Sequence, residues 1–244
     1  MKCEHAVILA AGKGSRLKDL CQEKPKCLIE IKDQPIIAWV LRSISLAGIK
    51  KVTIVTGYKR KILEQSIGDG KEFGLRIDYF YNTRWNKPNG ISLYCVKDRI
   101  INEAKEGFFL TMMSDHLIHW EEIRRTAQAP TQNCVLAIEK NLQKVFDISD
   151  ATKVRLEDGK PTAIGKRLRK YNAVDCGLFR FDKRIFEALE ESISNGNLAL
   201  TDGVRRLIEK KQLDVIAIGN HPWIDIDTPR TYRQALRIVE KLFS

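Results

Sequence analysis

Two short segments near the N-terminus carry groups that can hold a polyphosphate. They are Leu9-Ala10-Ala11-Gly12-Lys13-Gly14-Ser15-Arg16-Leu17 and Lys24-Pro25-Lys26-Cys27-Leu28. Glycines let backbone N–H groups approach phosphate oxygens closely, and Lys13, Arg16 and Lys26 add matching positive charge. The spacing fits neither the Walker A pattern nor the dinucleotide fingerprint, so the loop alone says only that phosphate can bind. Two acidic segments complement it. An apolar run over 108–113 closes on Ser114-Asp115-His116, and Trp223-Ile224-Asp225-Ile226-Asp227-Thr228-Pro229 puts Asp225 and Asp227 on one face of an extended segment. Split carboxylates that leave room for phosphate oxygens and water suit Mg²⁺. Asp115 is also able to cap a following helix, and Asp227 to sit at the cap before Pro229. A base at His116 is not required, because a phosphomonoester nucleophile is already ionised near neutral pH.

The elements that must position these groups are read from periodicity. Strands are expected over 6–10, 51–56, 76–81 and 108–112, separated by helices opened by Pro35 and closed by Gly48, over 60–67 and over 91–101. That alternation is the pattern of an α/β chain with a parallel sheet covered by helices on both faces. After Cys134 the rhythm changes. A hairpin is expected from 152–156 to 161–164 around Asp158-Gly159, then a strand over 174–181 and helices over 184–192 and 201–210. A strand over 213–218 and a helix from Pro229 to Phe243 close the chain. No segment has a linker's composition and no repeat appears. One domain over 1–244 is expected, with a nucleotide half over 1–133 and an acceptor half over 134–244.

Composition excludes several classes. The chain has 244 residues, of which 43% are hydrophobic, and no uncharged apolar run approaches the roughly 18 residues of a membrane helix. Met1-Lys2-Cys3-Glu4-His5 lacks the apolar core of a signal peptide. The six cysteines show no C-x-x-C spacing and read as reduced, mostly buried thiols of a cytoplasmic protein. A net charge of +11 invites anionic partners. However, no helix-turn-helix, zinc-finger or basic-aromatic pattern is present, so nucleic acid is not an expected partner. The densest basic cluster is Lys166-Arg167-Leu168-Arg169-Lys170.

The pair of N-terminal segments resembles the nucleotidyltransferase family that makes activated sugars and alcohols, with its L-A-A-G-x-G-x-R-L followed by K-P-K-x-L. The resemblance implies a Rossmann-like mixed, mainly parallel sheet flanked by helices, of the nucleotide-diphospho-sugar transferase type. It implies that Gly12, Gly14 and Arg16 hold the triphosphate and that Lys26 acts at the α-phosphate, with Arg16 a second catalytic cation. Leu9, Ala10, Ala11, Lys13 and Ser15 complete the loop. Gly57, after the second strand, and the turn Asn89-Gly90-Ile91-Ser92 would frame the base through Asn89, Gly90 and Ser92. Asn89-Gly90 is equally able to be a plain turn with Ser92 as a helix cap. The turn looks closest to the cytidylyl-transferring members, which implies CTP. Asp115, Asp225 and Asp227 match the family's metal aspartates.

In relatives a lysine grips the acceptor's phosphate and a polar residue before a glycine binds its hydroxyls; these positions carry over to Lys166 and Asp175. Asn172 offers a further hydrogen-bonding group for a polyol. The basic cluster resembles the inositol-phosphate branch, although Arg167, Arg169 and Lys170 read equally well as a solvated loop. The expected reaction is therefore CTP with inositol 1-phosphate, giving CDP-inositol and pyrophosphate. The alternatives are a sugar-1-phosphate uridylyl- or thymidylyltransferase, a choline-phosphate cytidylyltransferase, and a catalytically silent regulatory subunit. Fusion to, or a position beside, a membrane-embedded CDP-alcohol phosphotransferase is a further expectation of the resemblance. Self-association is left open.

Overall fold

Alternation along the first strand decides the architecture. In β1 (His5–Ala10), Ala6, Ile8 and Ala10 join one buried cluster while Val7 and Leu9 join another on the opposite face. Successive side chains of a strand point to opposite sides, so a strand apolar throughout needs cover on both faces. The computed structural model describes residues 3–21, 23–104 and 107–242. Phe243, the expected end of the last helix, lies outside the described residues, as do Met1, Lys2 and the side chain of Ser15.

The remaining strands are β2 (Glu30–Ile31), β3 (Gln34–Pro35), β4 (Lys51–Thr56), β5 (Arg76–Tyr81), β6 (Phe109–Met113), β7 (His116–Ile118), β8 (Cys134–Glu139), β9 (Lys153–Glu157), β10 (Lys160–Gly165), β11 (Ala173–Phe181), β12 (Leu213–Ala217) and β13 (Trp223–Asp225). Among the described residues the main sheet has nine strands in the order β10-β9-β11-β6-β1-β4-β5, with β8 joining β11 to β12. The sheet is mixed. β5, β4, β1 and β6 run parallel, whereas β11 lies antiparallel to β6 and to β8. One sheet thus crosses the 133/134 boundary. β7 and β13 form a separate antiparallel ribbon.

Register places the chemistry. Ala10 pairs with Thr56 and Leu9 with Met113, so the loop after β1, Gly57 and Asp115 all leave the sheet at its carboxyl edge, where α/β folds gather ligands.

Three expectations are corrected. The single helix over 91–101 is two, Asn89–Tyr94 and Lys97–Ala104. Pro88, in extended conformation, starts the first helix early, and a tight bond from Val96 N to Leu93 O ends it. The last helix spans Pro229–Ile238 and tightens into a 3₁₀ turn over Val239–Leu242. β7, β8 and the helix Trp120–Ala127 were not expected from the sequence, and of the extended segment expected at 223–227 only Trp223–Asp225 is strand. Both β7 and β13 are only three residues long, too short to show a period.

Candidate active site

The phosphate loop and Lys26 are fitted to each other. Gly14 has φ +69°, and a Cβ there would stand 2.3 Å from Lys26 Cβ. Only glycine combines that backbone with that approach. The stem of Lys26 passes over Gly14, and its ammonium reaches Asp115 and, at 2.5 Å, Asp227 Oδ1. Burial works against charge on Lys26, but Asp115 and Asp227 outweigh it and hold the ammonium charged well above the ordinary lysine range. Arg16 spans two carboxylates, Asp227 Oδ2 at 2.5 Å and Asp150 Oδ2 at 2.6 Å. Lys166 meets the other oxygen of Asp150 at 2.9 Å.

Asp115 does not cap a helix: β7 follows it, and His119 caps the helix Trp120–Ala127. Nor is Asp227 a cap, a role filled by Thr228. Burial alone would raise the Asp115 carboxyl, yet Lys26 and His116 hold it below the usual carboxylate range, and Asp227 is likewise held down by Lys26. Asp225 is raised by burial in spite of His116. His116 is pushed up to about 10, because Asp225 and Asp115 outweigh its burial. Its Nδ1–H donates to Cys176 O at 2.8 Å, and Nε2 lies 3.4 Å from Asp225 and 3.8 Å from Asp115. A charged, fully engaged imidazole is no proton acceptor. Gly177 makes room for it: with φ +73°, a Cβ there would fall 2.1 Å from His116 Nδ1.

The carboxylates fit a hard cation. Oxygens of Asp150, Asp225 and Asp227 lie within 4.8 Å of one another, and Asp225 Oδ1 is buried without a hydrogen bond. An all-oxygen set suits Mg²⁺ rather than a softer ion, and here cations, His116 beside Asp225 and Arg16 between Asp150 and Asp227, hold its charge.

Two cavities meet at this cluster. The smaller, of 330 Å³, is lined by Leu9, Ala10, Ala11, Gly12, Gly14 and Lys26 on one side and by Trp85, Lys87, Asn89 and Ser92 on the other. The larger, of 540 Å³, holds Asp150, Lys166, Asp175, Thr201 and Arg205. Arg16, Asn89, Met113, Asp115 and Asp227 line both.

Most expected site residues are brought together, with qualifications that come from their contacts. Lys13 is exposed at the loop and its ammonium lies over the Tyr58 ring at 5.4 Å. Gly57 packs so tightly that a Cβ would come within 2.3 Å of Trp85 Cβ. Asn89 is in the helix Asn89–Tyr94 and its side chain accepts from Leu200 N at 3.0 Å; Gly90 lies against the 198–199 backbone. Ser92 is no cap; it accepts from Asn82 at 3.0 Å. Asp175 is half-buried, and its carboxyl is pushed up to about 6 by the desolvation of its site, with Gly177 N–H donating to it at 2.7 Å. Asn172 is corrected: it does not reach the cavity, because its amide bonds both N–H and C=O of Leu156 at 2.8 and 3.0 Å. Arg167, Arg169 and Lys170 are an exposed loop. Asp150, Trp85, Lys87, Thr201 and Arg205 were missed, since each sits in a segment without a local signal.

The nucleotidyl transferase family model matches residues 5–241. The chain is 31% identical to a "Bifunctional IPC transferase and DIPP synthase" of Aquifex aeolicus, over 98% of this chain and 52% of the relative. It is 32% identical to the protein of that name in Thermococcus kodakarensis, over 97% and 50%. It thus spans about half the length of these relatives. A "CTP:phosphoglutamine cytidylyltransferase" of Campylobacter jejuni is 24% identical, over 91% of this chain and 95% of the relative. Among solved structures, the inositol-1-phosphate CTP transferase from T. maritima superposes with TM-score 0.86 at 21% identity, over 99% of this chain and 97% of that one.

Proposed function

The chain belongs to the nucleotidyl transferase family, and we propose that it transfers the cytidylyl group of CTP to inositol 1-phosphate, giving CDP-inositol and pyrophosphate. The observation that carries this reading is the meeting of a phosphate-loop cavity with a polyhydroxyl-compatible cavity at Arg16, Asp115 and Asp227. The names of the Aquifex and Thermococcus relatives support it for a domain of this length.

In the proposed reaction an acceptor phosphate oxygen attacks the α-phosphorus in line. The new O–P bond forms as the bond to the β-phosphate oxygen breaks, and pyrophosphate leaves with that electron pair. The backbone of 11–14 and Arg16 hold the triphosphate, and Lys26 places its charge where negative charge grows in the transition state. Lys166 and Arg205 are the cations available to the acceptor phosphate, and Asp175 and Thr201 the groups available to its hydroxyls. Asp150, Asp225 and Asp227, with Asp115 beside Asp225, would hold Mg²⁺, which when bound supplies charge neutralisation at the phosphates. His116 pins Asp115 and Asp225 in place and moves no proton.

Choline phosphate is the second reading, favoured by three aromatic side chains of the larger cavity, Phe146, Phe179 and Trp223, which are what a quaternary ammonium needs. Pyrophosphate release across CTP, UTP, dTTP and ATP, each with inositol 1-phosphate, choline phosphate and glucose 1-phosphate, tests the assignment. CTP with inositol 1-phosphate should give the highest kcat/KM. Faster turnover of either other acceptor, or of another triphosphate, overturns it. A CDP-alcohol product would serve a membrane-embedded phosphotransferase, the proposed partner, and the basic surface suits a place beside an anionic membrane.

A further inference from the structure

A second set of ligating side chains lies at the far end of the ribbon that carries the carboxylates. In the pairing of β7 with β13, Asp225 stands opposite His116 at one end and Trp223 opposite Ile118 at the other. Just beyond that second end come His119 and His221. Their imidazoles stack with centroids 3.8 Å apart and planes 3° apart. One nitrogen from each ring and one carboxylate oxygen of Glu121 lie within 4.8 Å of one another.

The surroundings select the nitrogen that His221 offers. Glu122 is buried, and its carboxylate accepts from Arg125 at 2.6 Å and from Gly219 N–H at 3.0 Å. That carboxylate faces His221 Nδ1 at 2.9 Å, so Nδ1 carries a proton and donates it. Nε2 is left toward Glu121, whose Oε2 is 3.2 Å away. Two ligands held about 2.0–2.1 Å from a tetrahedral zinc stand about 3.3 Å apart. A carboxylate behind a ligating histidine is also the usual outer partner of such sites. His119 Nδ1 accepts from Glu121 N at 3.2 Å, so that nitrogen carries no proton, and burial favours the uncharged ring.

We infer that His119, Glu121 and His221 bind a divalent transition metal of borderline softness, zinc foremost, with Glu122 orienting His221. Nitrogen donors separate this site from the all-oxygen set at Asp150, Asp225 and Asp227. A ring nitrogen's lone pair lies in the ring plane, so two parallel stacked rings cannot both point at one ion; on binding His119 turns out of the stack, and its Nδ1 gives up the bond it accepts from Glu121 N at 3.2 Å. The ion would fasten the far end of the ribbon whose near end presents Asp115 and Asp225.

The test is Zn²⁺ titration of the full chain in excess Mg²⁺, by equilibrium dialysis and thermal unfolding. One equivalent should bind, raising Tm by roughly 5–10 °C at about a hundredfold excess over Kd. His221→Gln and, as a half-exposed second variant, Glu121→Gln should each weaken Zn²⁺ binding by roughly tenfold or more. Asp227→Asn should leave it unchanged. Absence of a saturable equivalent overturns the site. So does wild-type affinity in both His221→Gln and Glu121→Gln, or a loss confined to Asp227→Asn.

Discussion

Lys26 and Asp227, 201 residues apart in the chain, meet at 2.5 Å in a half-buried ion pair. The same ammonium contacts Asp115, so its removal leaves two half-buried carboxylates without it. Lys26→Ala should lower turnover about 100-fold or more, the loss expected for one charge aimed at a transition state. Without divalent cations it should also lose about 1–3 kcal/mol of stability, less than a fully buried pair would cost because these groups keep some solvent. Steady-state kinetics and denaturation with and without Mg²⁺ measure both effects. Near-normal turnover would sink the assignment of Lys26.

Gly177→Ala tests the seating of His116. A Cβ at this φ of +73° would strike Nδ1 at 2.1 Å, so either the imidazole or β11 must move. Backbone strain alone costs about 1–3 kcal/mol. Lower stability and a displaced His116 resonance are the expected outcome; an unshifted resonance would show that the seat is not required.

Asp175 predicts an acid limb. Burial raises its carboxyl to about 6, so the carboxylate proposed to accept from the acceptor's hydroxyls is lost as pH falls through that value. The acceptor's own phosphate ionises near 6 as well. Wild-type kcat/KM for the acceptor should therefore fall with a slope of two on the acid side and Asp175→Asn with a slope of one. The variant should raise acceptor KM roughly tenfold or more and leave the KM of CTP unchanged. A slope of two in Asp175→Asn would refute the role.

His116 predicts an alkaline loss of stability. Its folded value, about 10, lies above the ordinary 6.5. A raised base contributes stability fully below about 6.5 and loses it as pH rises through 10. In protein free of divalent cations, unfolding free energy should decline over that window, and less so in His116→Gln. Parallel curves for the two proteins would refute it.

How much of this was legible in the chain depends on how local each signal is. The loop at 9–17 and Lys26 form a nearly continuous pattern, and Asp115 and Asp227 close apolar runs, so each could be read in place. Asp150 could not: it precedes β9 in an irregular stretch, and its role exists only because Arg16 and Lys166 arrive from 134 residues before and 16 after. Asn172 shows the opposite failure. A polar residue beside a strand looks the same whether it faces a ligand or, as here, the backbone of Leu156. The histidines at 119 and 221 are brought together by β7 and β13, whose brevity hid the pairing.

The two cavities draw their private walls from different stretches of chain. The nucleotide side uses 9–14, 26–27, 85–92 and Ser114, while the acceptor side uses His116, 144–152, 165–179, 199–205, 223–225 and Thr231; Arg16, Asn89, Met113, Asp115 and Asp227 are common to both. Such a molecule can be recombined. Grafting 144–152 and 199–205 from a relative would exchange the recipient of the nucleotidyl group while the donor pocket and reaction centre are inherited intact, so one scaffold can diversify its products one side at a time.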